Sequence, residues 1–412
     1  MTEQRYDLIV FGATSFVGQI LSRYLVETFG TGDKMKWAIA GRSETKLVNL
    51  KTDLGAAAKN LDVVIADAND DKALRDMCKQ TRVVISTVGP YALFGEPLVK
   101  ACVELGTDYC DLTGEVQWIR RMIQKYEDQA KKSGARIVHC CGFDSIPSDM
   151  GVFFLQQQAQ ETLGKPCYQV KMRVRTAKGE FSGGTVASLM NVAKEAASDP
   201  ALRKELANPF SLCPPEHRSQ TRQPNVKSAE YDPDFDVWLA PFVMAAINTR
   251  IVHRTNAIQG APWGREFLYD EAMMTGKGIK GRLAAYGVTA AMGGFLVASA
   301  IKPSRWLLER FVVPKPGEGP SQMAQEKGFY DLRFIGRTDD GQTIRTKVTG
   351  DQDPGYGSTS KMLGQAGACL AFDVSREDRP GGFWTPAAIF GDQLLTRLRE
   401  HSGLTFELLE ER

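Results

Sequence analysis

The sequence predicts an α/β protein in which an N-terminal doubly wound parallel sheet is followed by a second α+β domain with a mostly antiparallel sheet. Two observations carry this prediction. Short apolar runs alternate with helical patterns six times over the first 145 residues, and an Asp-Gly pair at 340–341 separates two alternating runs, which is a strong hairpin signal. We therefore expect domains at 1–145 and 146–385, and a C-terminal helix within 386–412 that packs back on the body.

The composition is that of an ordinary soluble globular protein. Of the 412 residues, 43% are hydrophobic and 24% are charged, and this length suits two or three domains. A net charge of +2 gives no reason to expect a nucleic-acid partner. Eight scattered cysteines without a C-x-x-C pair, four dispersed histidines and a polar N-terminus predict a cytoplasmic protein with free thiols, no metal site and no signal peptide.

The first unit of the predicted sheet is the stretch from Tyr6 to Gly18. Leu8–Phe11 is a short apolar run typical of a buried parallel strand, and a helix follows from about Gln19. The two glycines of the turn allow a tight bend and close helix packing, so that the helix N-terminus faces a pyrophosphate. Ser15 stands where a middle glycine is usual, and a strand–turn–helix unit without a nucleotide is the alternative. The residues predicted to bind a dinucleotide here are Gly12, Thr14, Ser15, Phe16, Val17 and Gly18.

The ends of the next two strands predict the type of nucleotide. The second strand, Lys36–Ala40, is followed by Arg42, where an acidic residue would bind the ribose hydroxyls of NAD. A guanidinium instead suits a 2′-phosphate, so we expect NADP(H) rather than NAD(H), unless Arg42 is simply an exposed strand-end charge. Asp67 ends the third strand, Leu61–Asp67, and is expected either to meet the adenine amino group or to cap a helix.

A glycine turn also follows the fourth predicted strand, Val83–Val88. The carboxyl ends of parallel strands are where open α/β sheets bind ligands. We therefore add Gly89 and Pro90 to the predicted cofactor-binding residues, and we expect Tyr91 to flank a nicotinamide ring.

Polar side chains cluster after the fifth and sixth predicted strands, where site residues are often found. The residues with a predicted role as proton donor or orienting group are Tyr91, Asp111, Glu115, Cys141 and Asp144, and the candidate catalytic residues among them are Tyr91, Asp111, Glu115 and Asp144. Capping of the next helix by Asp111 or Thr113 is the alternative. The sequence contains no Tyr-x-x-x-Lys placed as in short-chain dehydrogenases, and it makes no His–Asp pair evident.

The second domain is predicted from alternating runs that are typical of half-buried strands. Its predicted strands are 168–175, 265–272, 329–336 and 342–349, and the predicted helices of this half are Val186–Ser198, Ser358–Phe372 and Pro386–Glu400. We expect the helix Ser358–Phe372 to cover one face of the antiparallel sheet. Gly183 and Gly184 predict either an anion or carbonyl site or close backbone packing. The polar stretch 207–236 is expected to be a surface loop or a lid.

The segment 283–301 carries no charged residue and has lysine and arginine on both sides. Its length is near that of a transmembrane helix, but its many small residues keep its hydropathy modest. Three interpretations stay open: a helix that is buried or lies in a homodimer interface, a membrane-surface hairpin that extends to 311, and a true membrane span. The basic flanks and Trp306 favour peripheral membrane contact through 283–311.

Five motifs of the first domain together resemble the saccharopine dehydrogenase-like oxidoreductases, and within them the trans-acting enoyl reductase branch. The motifs are GATSFVG at 12–18, AGRS at 40–43, STVGPYALFGEPLVKAC at 86–102, GTDYCDLTGE at 106–115 and CGFDSIPSDMG at 141–151, and the likeness continues at 181–188, 241–257 and 384–398. The resemblance implies an N-terminal Rossmann domain, a mixed α+β second domain and a nicotinamide cofactor. It associates this branch with the reduction of enoyl intermediates during lipid assembly on polyketide synthases.

Three functional hypotheses follow. The first is an NAD(P)-dependent oxidoreductase that prefers NADPH and reduces an enoyl or imine-like bond of a small-molecule or acyl-type substrate, with a role in lipid metabolism. The second is a membrane-associated nucleotide-binding protein without turnover, suggested by the missing catalytic pair and the uncharged segment. The third is a saccharopine-type amino-acid dehydrogenase, although the substrate-binding positions of those enzymes are not matched to this chain residue by residue.

Overall fold

The computed structural model describes residues 4–32, 34–179, 183–217, 219, 221–301, 303, 304, 306, 308 and 319–410. The chain divides into two compact units. The first unit comprises Met1–Asp144, Pro316–Gly319 and Gly355–Gly403, and the second comprises Ser145–Lys315, Pro320–Pro354 and Leu404–Arg412. The second domain expected at 146–385 is therefore not continuous, because a C-terminal stretch returns to the first unit.

The first unit is built on a seven-stranded sheet, and all of its described pairings are parallel. Its strands are β1 (Tyr6–Phe11), β2 (Trp37–Gly41), β3 (Asp62–Ile65), β4 (Thr81–Ser86), β5 (Asp108–Asp111), β6 (Arg136–Val138) and β13 (Gly382–Trp384). The strand order is β13-β6-β5-β4-β1-β2-β3. From β1 the chain first adds β2 and β3 on one side and then β4, β5 and β6 on the other side. This change of side at β1 is the doubly wound pattern that the sequence predicts. The parallel sheet is confirmed, and β13 is a strand that the sequence pattern did not reveal.

Helices connect the parallel strands and supply the termini that meet the sheet edge. They are α1 (Phe16–Phe29), α2 (Glu44–Asp53), α3 (Asp71–Cys78), α4 (Tyr91–Phe94), α5 (Glu96–Leu105) and α6 (Val116–Ser133), with a 3₁₀ turn at Ala56–Ala58. The helix α1 begins three residues earlier than expected because Ser15 already serves as its N-cap.

The expected position of the helix Ser358–Phe372 is wrong. The corresponding helix, Gly357–Phe372, packs on the central parallel strands of the first unit. A Cβ atom at Gly367 would lie 2.5 Å from Ile85 Cδ1 and 2.7 Å from Leu8 Cδ1, so only glycine permits this approach. An apolar helix pattern predicts burial without specifying which sheet covers it, and the final helix, Pro386–His401, packs on this same helix.

The second unit is built on a seven-stranded mixed sheet with the order β14-β12-β11-β7-β10-β9-β8. Its strands are β7 (Gln169–Lys178), β8 (Glu230–Asp232), β9 (Val237–Pro241), β10 (Leu268–Gly276), β11 (Phe329–Arg337), β12 (Thr343–Gly350) and β14 (Leu404–Leu409). Among its described pairings only β7 with β10 is parallel, so the mostly antiparallel sheet is confirmed. Gly341 turns the predicted hairpin with a φ of 87°. The segment 386–412 is more than the expected helix, because β14 pairs with β12.

The second unit also contains helices. They are α7 (Ile146–Leu163), α8 (Gly183–Ser198), α9 (Pro200–Ala207), α10 (Ala245–Ile258), α11 (Gly278–Ala300) and a short helix at Gln322–Glu326. Of these, α7, α10 and α11 pack on the sheet. The stretch 207–236 is not only a surface loop, since Leu212 and Val226 are buried and β8 lies within it. Phe181 and Ser182, before the expected glycine site, lie outside the described residues.

The uncharged segment forms most of α11. The part Gly278–Ser299 is long and apolar enough to cross a membrane by length and composition, with a mean hydropathy of 1.2, yet only 11% of that stretch is buried. A buried core helix is therefore wrong for this segment. Most of the expected hairpin after it, including 302, 305, 307 and 309–318, lies outside the described residues.

Candidate functional site

The glycine turn after β1 has the geometry that its sequence predicts. Gly12 has a φ of 84°, and a Cβ atom there would lie 2.6 Å from Val88 Cγ2 and 2.8 Å from Thr87 Oγ1. A Cβ atom at Gly18 would lie 2.3 Å from the main-chain oxygen of Gly12. Glycine is thus required at the first position for backbone conformation and space, and at the second for close packing of α1 on the turn.

Ser15, at the position where a middle glycine is usual, caps α1. Its hydroxyl oxygen accepts a hydrogen bond from the main-chain N–H of Gly18 at 3.0 Å and lies 3.0 Å from the hydroxyl of Thr87. The Thr87 hydroxyl in turn lies 2.9 Å from the main-chain oxygen of Gly12, to which it donates. Sequence analysis missed Thr87, although its place after β4, the neighbour of β1, is the signal that could have found it.

The first turn of α1 can hold an anion. Phe16 and Val17 open the helix, where main-chain N–H groups have no acceptor within the helix, and Thr14 precedes the cap. These donors and the helix dipole favour a phosphate group at this end. The Phe16 ring meets Tyr356 edge-on at 5.1 Å between ring centres, which fixes the side chain beside the turn. The residues present therefore fit a dinucleotide.

Arg42 and Asp67 lie where β2 and β3 end. The Arg42 side chain is exposed, and within the described part of the chain it forms no ion pair, so its guanidinium can meet a 2′-phosphate. Asp67 does not cap a helix. Its Oδ1 accepts from the main-chain N–H of Asn69 at 2.9 Å, whereas Asp70 caps α3 by accepting from Ala73 N–H at 3.0 Å.

Gly89, Pro90 and Tyr91 form the turn after β4. Pro90 is the N-cap residue of the short helix α4, and a Cβ atom at Gly89 would lie 3.6 Å from the Tyr91 ring, which is ordinary contact. Tyr91 itself is buried, and its hydroxyl donates to the main-chain oxygen of Ser86 at 2.9 Å. Burial raises the Tyr91 pKa well above its ordinary value, and the carboxylates of Asp111, Asp144 and Glu115 raise it further.

Glu115 holds the N-terminus of α4. Its two carboxylate oxygens accept from the main-chain N–H groups of Tyr91 at 2.8 Å and Ala92 at 2.9 Å. The side chain is 1% exposed, so the two hydrogen bonds satisfy both oxygens without solvent. The expected capping of α6 by Asp111 or Thr113 is wrong, because Glu115 occupies the N-cap position of that helix. The Glu115 carboxylate caps α4 and not α6.

A His–Asp pair is present, contrary to the expectation from sequence. His139 Nδ1 lies 2.7 Å from Asp111 Oδ2, and both side chains are buried. Asp111 also accepts from the Tyr109 hydroxyl at 2.9 Å and from the main-chain N–H groups of Thr113 and Cys140 at 3.1 and 3.2 Å. The carboxylate is fully used in joining β5 to β6, which makes it an organising group of the site.

Among the predicted catalytic carboxyl groups, that of Asp144 is partly exposed and has a strongly raised pKa. Burial, followed by the nearby charge of Asp111, raises the pKa of Asp144 to about 8. The turn that carries it is held by a hydrogen bond from the main-chain N–H of Phe143 to Thr359 Oγ1 at 2.9 Å. Asp144 therefore holds a proton at neutral pH and can donate it. Thr359 lies 216 residues further along the chain, and no local signal could have found it.

Cys141 differs from the other candidates. Its thiol is buried and makes weak contacts with the main-chain oxygens of Val138 at 3.6 Å and His139 at 3.9 Å. Burial raises its pKa well above the ordinary value, so the thiolate form is disfavoured. The structure thus brings Tyr91, Asp111, Glu115 and Asp144 together, and it leaves Asp144 as the group able to exchange a proton.

Sequence comparison identifies proteins that are related to this chain. Residues 8–138 match the family model described as the saccharopine dehydrogenase NADP binding domain. A Mycobacterium tuberculosis protein, provisionally named a trans-acting enoyl reductase, is 40% identical over 96% of both chains. The trans-acting enoyl reductases of Mycobacterium bovis and Mycobacterium ulcerans are 38% and 36% identical, again over 96% of each chain.

One solved structure shows the same fold. Apo saccharopine dehydrogenase (L-Glu forming) from Saccharomyces cerevisiae aligns with a TM-score of 0.56 over 98% of this chain and 100% of that chain. The two sequences are 11% identical, so the likeness concerns the fold alone.

Proposed function

Since the chain belongs to the saccharopine dehydrogenase-like family, in its trans-acting enoyl reductase branch, and is an NADP-dependent oxidoreductase, we propose that it reduces the carbon–carbon double bond of an enoyl group. The observation that carries this proposal is the presence, in one unit, of a nucleotide turn after β1 and of a carboxyl group after β6, that of Asp144, whose pKa is raised to about 8. When bound, NADPH supplies a hydride to the β-carbon of the enoyl group.

The residues of this chain have separate tasks in the proposed reaction. The first turn of α1 and Arg42 bind the phosphates and so orient the nucleotide. Asp144 donates a proton to the α-carbon, which completes the reduction to a saturated acyl group and leaves the Asp144 carboxylate to be reprotonated from water. Asp111 and Glu115 fix the strand ends and α4 through the hydrogen bonds described above.

The substrate is proposed to be an acyl chain of lipid type that a separate protein presents. The related mycobacterial proteins are named trans-acting enoyl reductases, and a reductase that acts in trans takes its acyl chain from another polypeptide, such as a polyketide synthase. A small free acyl thioester is the simplest model of that substrate.

A single-turnover experiment tests the proposal. NADPH-loaded wild-type protein is mixed with an α,β-unsaturated acyl thioester, and NADPH oxidation is followed by absorbance, with the saturated thioester as the substrate control. We expect NADPH oxidation with the unsaturated thioester only. In the Asp144→Asn variant the rate of this oxidation should be lower by about a hundredfold or more. The exposed carboxyl variant Asp53→Asn is the matched control and should react like the wild type.

Two results of this experiment would contradict the enoyl reductase proposal. A saccharopine-type dehydrogenase would oxidise NADPH when given a 2-oxo acid and a primary amine, but not with the thioester. A nucleotide-binding protein without turnover would bind NADPH and leave it unoxidised with acyl, imine and carbonyl substrates alike. Either outcome overturns the enoyl reductase proposal, and each identifies a different replacement.

We also propose a cytoplasmic location, which the eight free cysteines support. A homodimer and membrane contact through 283–311 are further proposals from the sequence, and they compete for the same exposed helix, α11.

A further inference from the structure

The helix α11 has one face on the protein and one face in solvent. Gly281, Ala285 and Ser299 are buried, and α11 packs against β9, β10 and α8. A Cβ atom at Gly281 would lie 2.2 Å from the main-chain oxygen of Gly276, and the Thr275 hydroxyl donates to the Gly281 oxygen at 2.9 Å. The start of α11 is therefore fixed to the end of β10.

From Leu283 to its end, the solvent face of α11 is apolar. Leu283 is 67% exposed and Val297 is 61% exposed, and other exposed large apolar side chains of α11 are Ile279, Tyr286 and Leu296. A surface helix of a soluble protein carries charged residues on its outer face, and here none occurs from 283 to 301. The charge-free part of this helix, from Leu283 to Ala300, presents an apolar strip about 27 Å long.

The charges of α11 lie at one end and have one sign. Lys280 and Arg282 are its charged residues, and Lys277, which directly precedes it, is paired with Asp236. The Arg282 guanidinium lies over the rings of Trp238 at 5.3 Å and Tyr286 at 5.9 Å. Basic residues beside an apolar helix, together with aromatic rings at the polar end, complement a surface of anionic lipid.

We propose that α11 docks in the plane of an anionic lipid surface, with Leu283 and Val297 in the acyl layer and Lys280 and Arg282 among the headgroups. A true span is disfavoured because α11 stays packed along β9 and β10, and crossing a bilayer would carry strand backbone into hydrocarbon. A second copy of the chain is a poorer occupant. The middle of the face is formed by small residues such as Gly287, Ala290 and Gly294, which offer no large anchor of the kind that protein interfaces use.

Vesicle flotation of the full chain tests this proposal. Wild-type protein is mixed with vesicles of zwitterionic lipid alone or mixed with an anionic lipid, and the floated fraction is measured. We expect flotation that is several-fold stronger with anionic lipid, and at least about tenfold weaker partition for the double variant Leu283→Gln, Val297→Gln. Met323→Gln is the matched control, because Met323 is an exposed apolar residue of another helix and should leave flotation unchanged.

Sedimentation without lipid distinguishes the second copy. A wild-type dimer that the double variant converts to monomer, together with no flotation of either protein, overturns the proposal. Where the double variant does not fold, Val297→Cys carrying an environment-sensitive dye replaces it, with Met323→Cys as its control. If vesicles shift the dye emission to the blue at position 297 and not at position 323, the result supports docking. Equal emission spectra at both positions would overturn the docking proposal.

Discussion

The hydroxyl of Thr87, directly after β4, donates to the main-chain oxygen of Gly12, directly after β1, over a distance of 2.9 Å. This bond ties together two neighbouring strand ends at the nucleotide turn, and the Ser15 hydroxyl that caps α1 lies 3.0 Å from the same Thr87 oxygen. The turn is therefore held from outside its own sequence. A threonine that local patterning does not single out supports the conformation that Gly12 makes accessible.

Replacing Thr87 by valine keeps the side-chain shape and removes these hydrogen bonds. We expect the Thr87→Val variant to lose about 1 kcal/mol of unfolding free energy and to bind NADPH more weakly, because the glycine turn is less constrained. Urea unfolding and a fluorescence titration measure the two effects. Thr87→Ser keeps the hydroxyl and should lie closer to the wild type; a valine variant as stable and as tight-binding as wild type would contradict the role given to Thr87.

Arg42 is expected to select NADPH over NADH. In Arg42→Ala the loss of a guanidinium opposite the 2′-phosphate should weaken NADPH binding by about 1.5–3 kcal/mol, or one to two decades, and leave NADH binding nearly unchanged. Fluorescence titration of both nucleotides measures the difference. Lys59→Ala removes an exposed charge elsewhere on the first unit and serves as the control. Equal losses for both nucleotides would show that Arg42 does not read the phosphate.

Asp144 should make stability depend on pH. Its folded pKa of about 8 lies above the ordinary value, so its contribution to stability is complete below about pH 4 and is lost as the pH rises through 8. Asp144→Asn does not titrate, and its stability relative to wild type should therefore rise between these two pH values and then level off. Urea unfolding at a series of pH values measures this difference. Parallel profiles for the two proteins would refute the shifted pKa.

Asp144 should also make the rate of enoyl reduction depend on pH. If Asp144 donates the proton, kcat/KM falls about tenfold per pH unit above pH 8, because the donor is then ionised. A pH profile of enoyl thioester reduction measures this decrease. Asp144→Glu moves the carboxyl group but keeps an acid, so it should retain part of the activity and shift the position of the decrease. An unchanged profile in that variant would exclude Asp144 as the donor.

His253 in the second unit predicts a different pH dependence. Burial, followed by the nearby charges of His217 and Arg250, lowers the His253 pKa to about 3, and its Nε2 atom has no hydrogen-bond partner among the described residues. Its ring lies between Phe210 and Phe267, at 4.9 and 6.0 Å between ring centres. The folded protein holds this histidine neutral, so its contribution to stability is lost as the pH falls from about 6.5 towards 3.

His253→Phe should remove that loss. Relative to wild type, the variant is expected to gain up to about 1.4 kcal/mol per pH unit of acidification below pH 6.5, and to match wild type at neutral pH. Unfolding by urea at matched pH values provides the comparison. The exposed His401 offers the control His401→Gln, whose acid sensitivity should equal that of wild type. An equal gain in both variants would indicate a general charge effect.

The sequence predicted local structure correctly where adjacent residues alone determine the backbone conformation. The run Leu8–Phe11, the glycine turn and α1 are continuous in sequence, and a positive φ at Gly12 is what the turn demands. The Asp-Gly pair at 340–341 likewise fixed the hairpin, because the turn selects its own residues. Arg42 is exposed after β2, as its position predicts.

Sequence analysis failed where distant segments meet. His139 and Asp111 are 28 residues apart, and they pair because β5 and β6 are adjacent strands of one sheet. The helix Gly357–Phe372 was assigned to the wrong sheet, since its apolar pattern gives its burial and not its partner. The strands β13 and β14 are short or lie at an edge, and their patterns are too weak to be recognised alone.

The sequence by itself determined the parallel and antiparallel sheets, the nucleotide turn and the family, because each depends on periodicity or on a motif of adjacent residues. Only the tertiary structure decided that Asp111 and Glu115 are occupied by structural hydrogen bonds while Asp144 keeps a proton. That distinction depends on burial and on which charges lie nearby, and both are set by strands and a helix that approach from far along the chain.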